Sequence, residues 1–173
     1  MSIHIIIDGY NLIRQSNALS MIDRQDIQLG REALLDMLSA YRKIKGHMIT
    51  VVFDGTNASP FSQRKNRVQG ITIKFSRSGE VADTVIKKMV SREKEKALVV
   101  SSDLDIVNFA SAKGAATISS SEFEEKISQT LYMEKKGVES KEETGWVPTT
   151  KKKGPSKRLS KKKRRSRTKI RKL

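Results

Sequence analysis

Three acidic side chains occupy positions at which a divalent metal ion could be held. Asp8 follows the apolar run Ile3 to Ile7, Asp103 follows the apolar run Ala97 to Val100 after two serines, and Asp83 lies near the start of a helical stretch. Two like charges a few Å apart repel by about 4 kcal/mol at an effective dielectric constant of about 20, so acids that share a site bind a cation or keep protons. Ligation by oxygen alone favours Mg²⁺ or Mn²⁺, and such an ion beside a phosphate suits phosphodiester cleavage.

The acids need a scaffold, and the hydrophobic pattern predicts an α/β fold. Apolar runs typical of buried strands lie at Ile3 to Ile7, Met48 to Phe53 and Ala97 to Val100, with weaker strands at Ile71 to Phe75 and Ala115 to Ile118. Helical stretches lie between and after them, at Ile27 to Gly46, Val81 to Val90, Leu104 to Lys113 and from Ser121 onward. This alternation favours a three-layer fold with a mainly parallel, five-stranded sheet covered on both faces.

The predicted topology brings the acids to one rim. In doubly wound sheets, ligands collect at the carboxyl ends of the strands, where strand order reverses. If the first strand neighbours the fourth, Asp8 meets Asp103 and Asp105 there. At about 100° per residue, Asp83 lies on the flank of the buried helix face, about 60° from Ile86, and can face the same rim.

Each acid also has an ordinary structural role open to it. Asp8-Gly9 and Asp54-Gly55 are typical turn dipeptides, and Ser102 with Asp105 fits a helix capping box. Asp83 near a helix amino terminus would complement the helix dipole. Asp54 is the weakest candidate for the site, because its glycine partner and the loop after it explain it adequately.

The positive charge is concentrated at one end of the chain. Of 35 Lys and Arg, 14 lie between Thr144 and Leu173 without any acid, which leaves 21 basic and 19 acidic residues before them. We therefore divide the chain into a domain at residues 1–137 and a linker with a basic, disordered tail at residues 138–173. The tail suits RNA, although a solubilising or localisation role remains open, and its RNA-contact candidates are Lys151, Lys152, Lys153, Lys161, Lys162, Lys163, Arg164 and Arg165. Trp146 could stack on a base or anchor the tail.

Further cations could position an RNA backbone within the domain. The connection from Asp54 to Gly70 is long for a compact domain and carries Arg64, Lys65 and Arg67. Such loops contact substrate or are simply mobile, and both interpretations stay open. Arg14 and Arg77 complete the set of candidates.

Other classes of protein fit the sequence less well. The absence of Cys excludes disulfide scaffolds, thiolate catalysis and Cys-based metal sites. No apolar run reaches the roughly 20 residues of a membrane span, so we expect a soluble cytoplasmic protein without a membrane partner. Glycine-rich phosphate loops are missing, and His4 and His47 lack metal-ligand spacing.

Four sequence pieces together resemble a known family. Asp8-Gly9-Tyr10-Asn11 after the first strand, Val52 to Gly55, Ala82-Asp83 and Val100 to Asp103 look like the NYN domain, and more narrowly its bacterial YacP-like branch among the PIN-like nucleases. The resemblance covers roughly residues 1 to 135 in order and spacing. It implies a PIN-like Rossmannoid fold and a metal-dependent endoribonuclease that acts on mRNA associated with translating ribosomes.

The same resemblance implies roles for individual residues. Asp8, Asp83 and Asp103 become metal-binding acids, with Asp105 as a fourth acid beside them. Asn11 becomes a polar group that orients Asp8 or the phosphate. A basic tail would suit mRNA or rRNA, but the family pattern does not decide this, and the oligomeric state stays open.

Two other functions remain open at this point. The chain could be a non-catalytic RNA- or ribosome-binding module whose acidic site is degenerate. It could also be a phosphotransfer domain with Asp8 or Asp54 as phosphoacceptor, although the haloacid-dehalogenase arrangement wants an acid where this chain has Tyr10.

Overall fold

The computed structural model describes residues 3–55, 67–77, 79–137 and 160–173. The strands are β1 (His4–Asp8), β2 (Met48–Phe53), β3 (Arg67–Val68), β4 (Ile71–Phe75), β5 (Ala97–Val100) and β6 (Ala116–Ile118). The helices are α1 (Gly9–Gln15), α2 (Asn17–Gln25), α3 (Ile27–Lys45), α4 (Ala82–Glu93), α5 (Leu104–Ala112), α6 (Ser120–Lys135) and α7 (Lys161–Arg171). None of the helices in these ranges is both long and apolar enough to cross a membrane.

The strands form one sheet in the order β3-β4-β2-β1-β5-β6. All neighbours are parallel except β3 and β4, so the predicted mainly parallel sheet is confirmed. The predicted number of five strands is wrong by one, because the two-residue strand β3 is too short to leave a periodic signal. Gln69 and Gly70, both with positive φ, close the β3–β4 hairpin as a type I′ turn requires.

Side chains alternate between two buried faces of the sheet. Ile5 and Ile7 join the core under α1, α3 and α6, whereas Ile6 joins the core under α4 and α5. Strand order reverses at β1, since β2 and β4 lie on one side of it and β5 and β6 on the other. The carboxyl ends of β1 and β5 therefore form the crevice at which open α/β sheets bind ligands.

Two helices before α3 were not predicted from the sequence. Asp8-Gly9 does not make a free turn: Asp8 caps α1, and its side chain accepts from the Asn11 amide. Ser16 then ends α1 and caps α2. The predicted cap of α6 at Ser121 is also wrong, because Ser119 occupies that position and α6 begins at Ser120.

The last described residues differ from the predicted disordered tail. Residues 161–171 form α7, which packs against β6. Tyr41 Oη donates to the Leu173 carbonyl at 3.0 Å, His47 Nε2 donates to the Lys172 carbonyl at 3.1 Å, and Leu173 is 4% exposed within the core. Leu173 is buried in the core and the half-buried Ile170 packs against it, which gives α7 an apolar contact with the domain. The many lysines and arginines around these two residues made this contact hard to predict from composition.

We expect Leu173→Ala to destabilise the protein by about 2 kcal/mol, because truncating a buried leucine loses transfer energy and leaves a cavity. This corresponds to a fall of roughly 4–8 °C in the thermal midpoint, measurable by calorimetry. The control Lys162→Ala changes an exposed residue of α7 and should leave the midpoint within about 2 °C. Equal midpoints for wild type and Leu173→Ala would contradict the packing of α7 on the core.

Candidate active site

A cavity of about 330 Å³ opens at the carboxyl ends of the central strands. We call it the acidic cavity, because four aspartates line it together with an amide, a tyrosine and an arginine. Its lining residues are Asp8, Tyr10, Asn11, Arg14, Asp54, Val81, Ala82, Asp83 and Asp103. The cavity thus joins residues from the ends of β1, β2 and β5 and from the start of α4.

Asp8 is held at the floor of the acidic cavity. It is the last residue of β1, it is 9% exposed, and each of its carboxylate oxygens has one hydrogen-bond donor. Oδ1 accepts from the Asn11 amide at 3.2 Å and Oδ2 accepts from Ser101 Oγ at 3.3 Å. These two bonds fix the carboxylate between the first turn of α1 and the segment that follows β5.

Burial changes the proton affinity of Asp8. Desolvation, together with the charges of Asp83 and Asp103, raises the pKa of Asp8 to about 6, against the two hydrogen bonds that lower it. Asp8 therefore keeps its proton to a higher pH than an exposed aspartate does and is half protonated near pH 6.

Asp83 and Asp103 each lie at the start of a helix that points its amino terminus at the acidic cavity. Asp103 caps α5, with its Oδ1 accepting from the Asp105 amide at 2.8 Å, and Asp83 lies in the first turn of α4. Partial burial and the Asp103 charge raise the pKa of Asp83, while Lys87 lowers it. The dipoles of α4 and α5 offset some of the repulsion between the aspartates. Asp83 and Asp103 can therefore stabilise their helices and line the acidic cavity at the same time.

The donor set of the acidic cavity suits a hard divalent ion. It consists of carboxylate oxygens, without His or Cys. Within the described ranges, no three His, Cys, Asp or Glu side chains are close enough to bind one ion together. Mg²⁺ keeps several waters and is usually bound through one or two carboxylates, so the residues fit a hydrated ion rather than an all-protein cage.

Asn11 and three serines support the rim, and sequence analysis missed the contacts of these serines with Asn11 and Asp8. Asn11 Oδ1 accepts from the Ser102 amide at 2.9 Å and from Ser120 Oγ at 2.7 Å, which ties α1 to the end of β5 and the start of α6. Ser101 donates to Asp8 and accepts from the Asp103 amide at 3.1 Å. Its position between a strand and an acid gave only a weak signal, since serines are common in such turns.

Asp105 does not line the acidic cavity. It is exposed on α5 and forms an ion pair with Lys87 of α4. It acts on the cavity through charge, because it raises the pKa of Asp83 while its partner Lys87 lowers it. The structure therefore separates Asp105 from Asp8, Asp83 and Asp103, which the sequence had grouped with it.

Asp54, the weakest candidate in the sequence, lies in the acidic cavity. It follows β2, and Ser76 Oγ donates to its Oδ1 at 3.5 Å. The strand order places β2 beside β1, so the ends of both strands reach the same rim. Sequence analysis undervalued Asp54 because the turn dipeptide offered a sufficient explanation for it.

One wall of the cavity is built around a buried arginine. Tyr10 lines the cavity, and Arg31, 3% exposed, donates from Nε to Tyr10 Oη at 2.8 Å. The Arg31 guanidinium also lies over the Phe53 ring. The Phe53 ring also packs directly against Gly9, where a Cβ would overlap the ring.

The predicted RNA-contact residues are dispersed over the surface. Arg14 lines the acidic cavity, Arg67 is exposed on β3, and Arg77 is exposed after β4. On α7, Lys161, Lys162, Lys163, Arg164 and Arg165 are exposed. Arg64, Lys65, Trp146, Lys151, Lys152 and Lys153 lie outside the described residues.

The sheet is mainly parallel, and aspartates lie at the point where its strand order reverses. This arrangement agrees with the α/β fold predicted from the sequence. The YacP-like NYN domain family matches the chain over residues 5–172, and the chain belongs to this family. The match reaches into α7, which agrees with its packing on the domain. Membership supports a nuclease-type role related to RNA.

Solved structures confirm the fold. Rae1 (YacP) from Bacillus subtilis is 23% identical with a TM-score of 0.65, and the alignment covers 80% of each chain. A tryptophan-to-leucine mutant of the same Bacillus subtilis protein is 21% identical with a TM-score of 0.66, over 79% of this chain and 80% of that one. A comparison with curated protein sequences gives no significant match.

We expect Asp8→Asn to stabilise the metal-free protein in a pH-dependent way. Because burial raises the pKa of Asp8 from 3.8 to about 6, the ionised carboxyl destabilises the fold; this cost is complete above pH 6 and vanishes below pH 4. The shift corresponds to about 3 kcal/mol. Urea denaturation in EDTA should show this gain at pH 8 and almost none at pH 4.

The matched control is Asp36→Asn, which replaces an exposed aspartate of α3. Its free energy of unfolding should follow that of the wild type at both pH values. A gain for Asp8→Asn that is equal at pH 4 and pH 8 would mean that the charge of Asp8 carries no cost in this site.

Proposed function

We propose that the protein is a metal-dependent endoribonuclease that hydrolyses RNA phosphodiester bonds with Mg²⁺ or Mn²⁺. The observation that supports this best is the convergence of Asp8, Asp83 and Asp103, from three separate elements, on one cavity that also contains Arg14. Such crowding costs energy in the absence of a cation. Membership of the YacP-like NYN family supports the same activity.

One or two of the carboxylates of Asp8, Asp83 and Asp103 would bind the ion directly and the others would bind its waters, and Asp54 lines the same cavity. A divalent ion bound there would supply an activated water and would neutralise charge on the phosphate and the leaving oxygen. Asn11 and Ser101 keep Asp8 in place, and their hydrogen bonds to it stabilise its charged form. Arg14 offers a cation at the cavity wall for a non-bridging phosphate oxygen.

A second set of RNA contacts is proposed for α7. Its cations Lys161 to Arg165 are exposed, and its far end lies at the amino ends of the strands, where Lys169 Nζ donates to the Ala97 carbonyl. This pole is opposite the acidic cavity. The cations of α7 would therefore hold parts of an RNA distant from the bond that is cleaved, as in a long mRNA or in rRNA of a ribosome.

A non-catalytic RNA- or ribosome-binding protein is the second candidate. The spacing of the described acids favours it, because no three of them are close enough to bind one ion together. It differs from the first candidate in one measurable property, which is cleavage that requires a divalent ion. Phosphotransfer onto Asp8 has less support, because the haloacid-dehalogenase arrangement wants an acid two residues after it, where this chain has Tyr10.

We expect Asp83→Asn to lower metal-dependent cleavage of a defined mRNA by at least about 100-fold, since loss of groups that merely support metal ligands already costs about 10–100-fold. RNA binding should persist, because the exposed cations are untouched. The assay compares Mg²⁺, Mn²⁺ and EDTA, with Asp36→Asn as the control variant. Cleavage should be absent in EDTA.

Cleavage by Asp83→Asn at the wild-type rate would contradict the assignment of the metal site. Binding without cleavage by the wild type, in either ion and on translating ribosomes as well as on free mRNA, would favour the non-catalytic candidate. Faster cleavage of mRNA in translation complexes than of free mRNA would support the proposed cytoplasmic setting on the ribosome.

A further inference from the structure

A larger concave surface lies beside the acidic cavity, between β4 and α4. We call it the β4–α4 groove; its volume is about 1000 Å³. The apolar part of its floor comes from α4, with Met89 nearly buried and Val85 half-buried, while the side chains of Ile73 and Phe75 pack in the core on the other face of the sheet. The groove is thus wide enough for several nucleotides and offers apolar contact to flat ring systems.

The rim of the groove is cationic. Lys74 and Arg77 lie on the β4 side and Lys88 and Arg92 on the α4 side, and all four are exposed. Among the described residues that line the groove, Glu80 is the only acid, and it forms an ion pair with Lys88. The rim therefore carries a net positive charge that would attract an anionic chain.

The groove is continuous with the acidic cavity along the chain. Gly55 lines the groove and its neighbour Asp54 lines the cavity; Glu80 lines the groove and its neighbour Val81 lines the cavity. Ser76 joins the two spaces, because its Oγ accepts from the Gly55 amide at 3.0 Å and donates to Asp54. A strand that leaves the cavity at this border enters the groove directly.

We propose that the β4–α4 groove binds the single-stranded RNA that flanks the bond placed in the acidic cavity. This inference rests on the proposed function and deepens it, since it assigns a path to the substrate. Phosphates of the strand pair with Lys74, Arg77 and Arg92. Unpaired bases turn toward the apolar floor at Val85 and Met89.

The shape of the groove selects single strands over duplexes. A duplex presents its phosphates outward and keeps its bases stacked inside, so it cannot use an apolar floor below a cationic rim. An unpaired strand exposes both its charged backbone and its ring faces, and positively charged grooves with ring contacts are the usual means of binding it. The two halves of the rim belong to β4 and α4, which both pack into the core.

The test uses a triple variant of the full chain, Lys74→Gln, Arg77→Gln and Arg92→Gln. A charge-matched control carries Arg24→Gln, Lys43→Gln and Lys135→Gln, which alter exposed residues of α2, α3 and α6. Binding of a single-stranded oligonucleotide of about ten nucleotides is measured in EDTA across a range of salt. Each phosphate that the protein no longer neutralises makes the log-affinity versus log-salt slope shallower by about 0.7.

The groove variant should bind the single strand at least tenfold more weakly than wild type at low salt, with a slope shallower by about 2. The control should keep the wild-type slope, and a duplex of the same length should bind weakly and equally to all three proteins. Equal losses in the groove variant and the control would overturn the proposal, because net charge alone would then explain them. Equal losses on the duplex would overturn the single-strand preference.

The result is separable from the outcome for catalysis. Binding in EDTA requires no cleavage, so a groove that passes this test stands even if the wild type fails to cleave RNA in Mg²⁺ or Mn²⁺. Conversely, if the wild type cleaves RNA and the groove variant keeps full affinity, the endoribonuclease assignment survives and the groove proposal fails. Far-ultraviolet circular dichroism should show that all three proteins are folded alike.

Discussion

The repulsion among Asp8, Asp83 and Asp103 is the constraint on which the rest of the structure depends. Burial and neighbouring negative charge both oppose ionisation of Asp8, as its raised pKa of about 6 shows. A fold that places these acids together needs compensation, and two forms of it are visible. Helix amino termini and hydrogen-bond donors support the carboxylates, and Asp8 binds a proton more readily than an exposed aspartate does. A divalent ion would replace that proton and make full ionisation favourable.

The strand order of the sheet determines where these aspartates come together. Because strand order reverses at β1, the carboxyl ends of β1 and β5 lie side by side, and Asp8 and Asp103 meet without a long loop. Ser101 bridges them, since it donates to Asp8 and accepts from the Asp103 amide. The β4–α4 groove lies beside the acidic cavity, and its rim carries cations instead of acids. The acidic cavity would thus attract a metal ion, and the cationic rim of the groove would attract phosphates.

The sequence pattern was enough to predict features that depend on strong hydrophobic periodicity or on a position at the end of a strand. The buried strands β1, β2 and β5 and the acids that follow β1 and β5 are of this kind, and so is Asp83 on the flank of α4. Weaker determinants were missed. The strand β3 is defined by pairing across a hairpin, and α7 is held by Leu173 and Ile170, which cationic neighbours conceal. Asp105 was grouped with Asp103 by spacing, but the Lys87 ion pair holds it outside the cavity, and only three-dimensional packing could reveal that pair.

Anomalous diffraction from crystals of the full chain soaked in Mn²⁺ tests the central claim most directly. The account predicts an anomalous peak inside the acidic cavity, with carboxylate oxygens of at least two of Asp8, Asp83 and Asp103 within about 2.2 Å of the ion or bonded to its waters. Crystals of the Asp83→Asn variant should lose most of that peak. A cavity without manganese at saturating concentration, or manganese bound only elsewhere on the surface, would contradict the account.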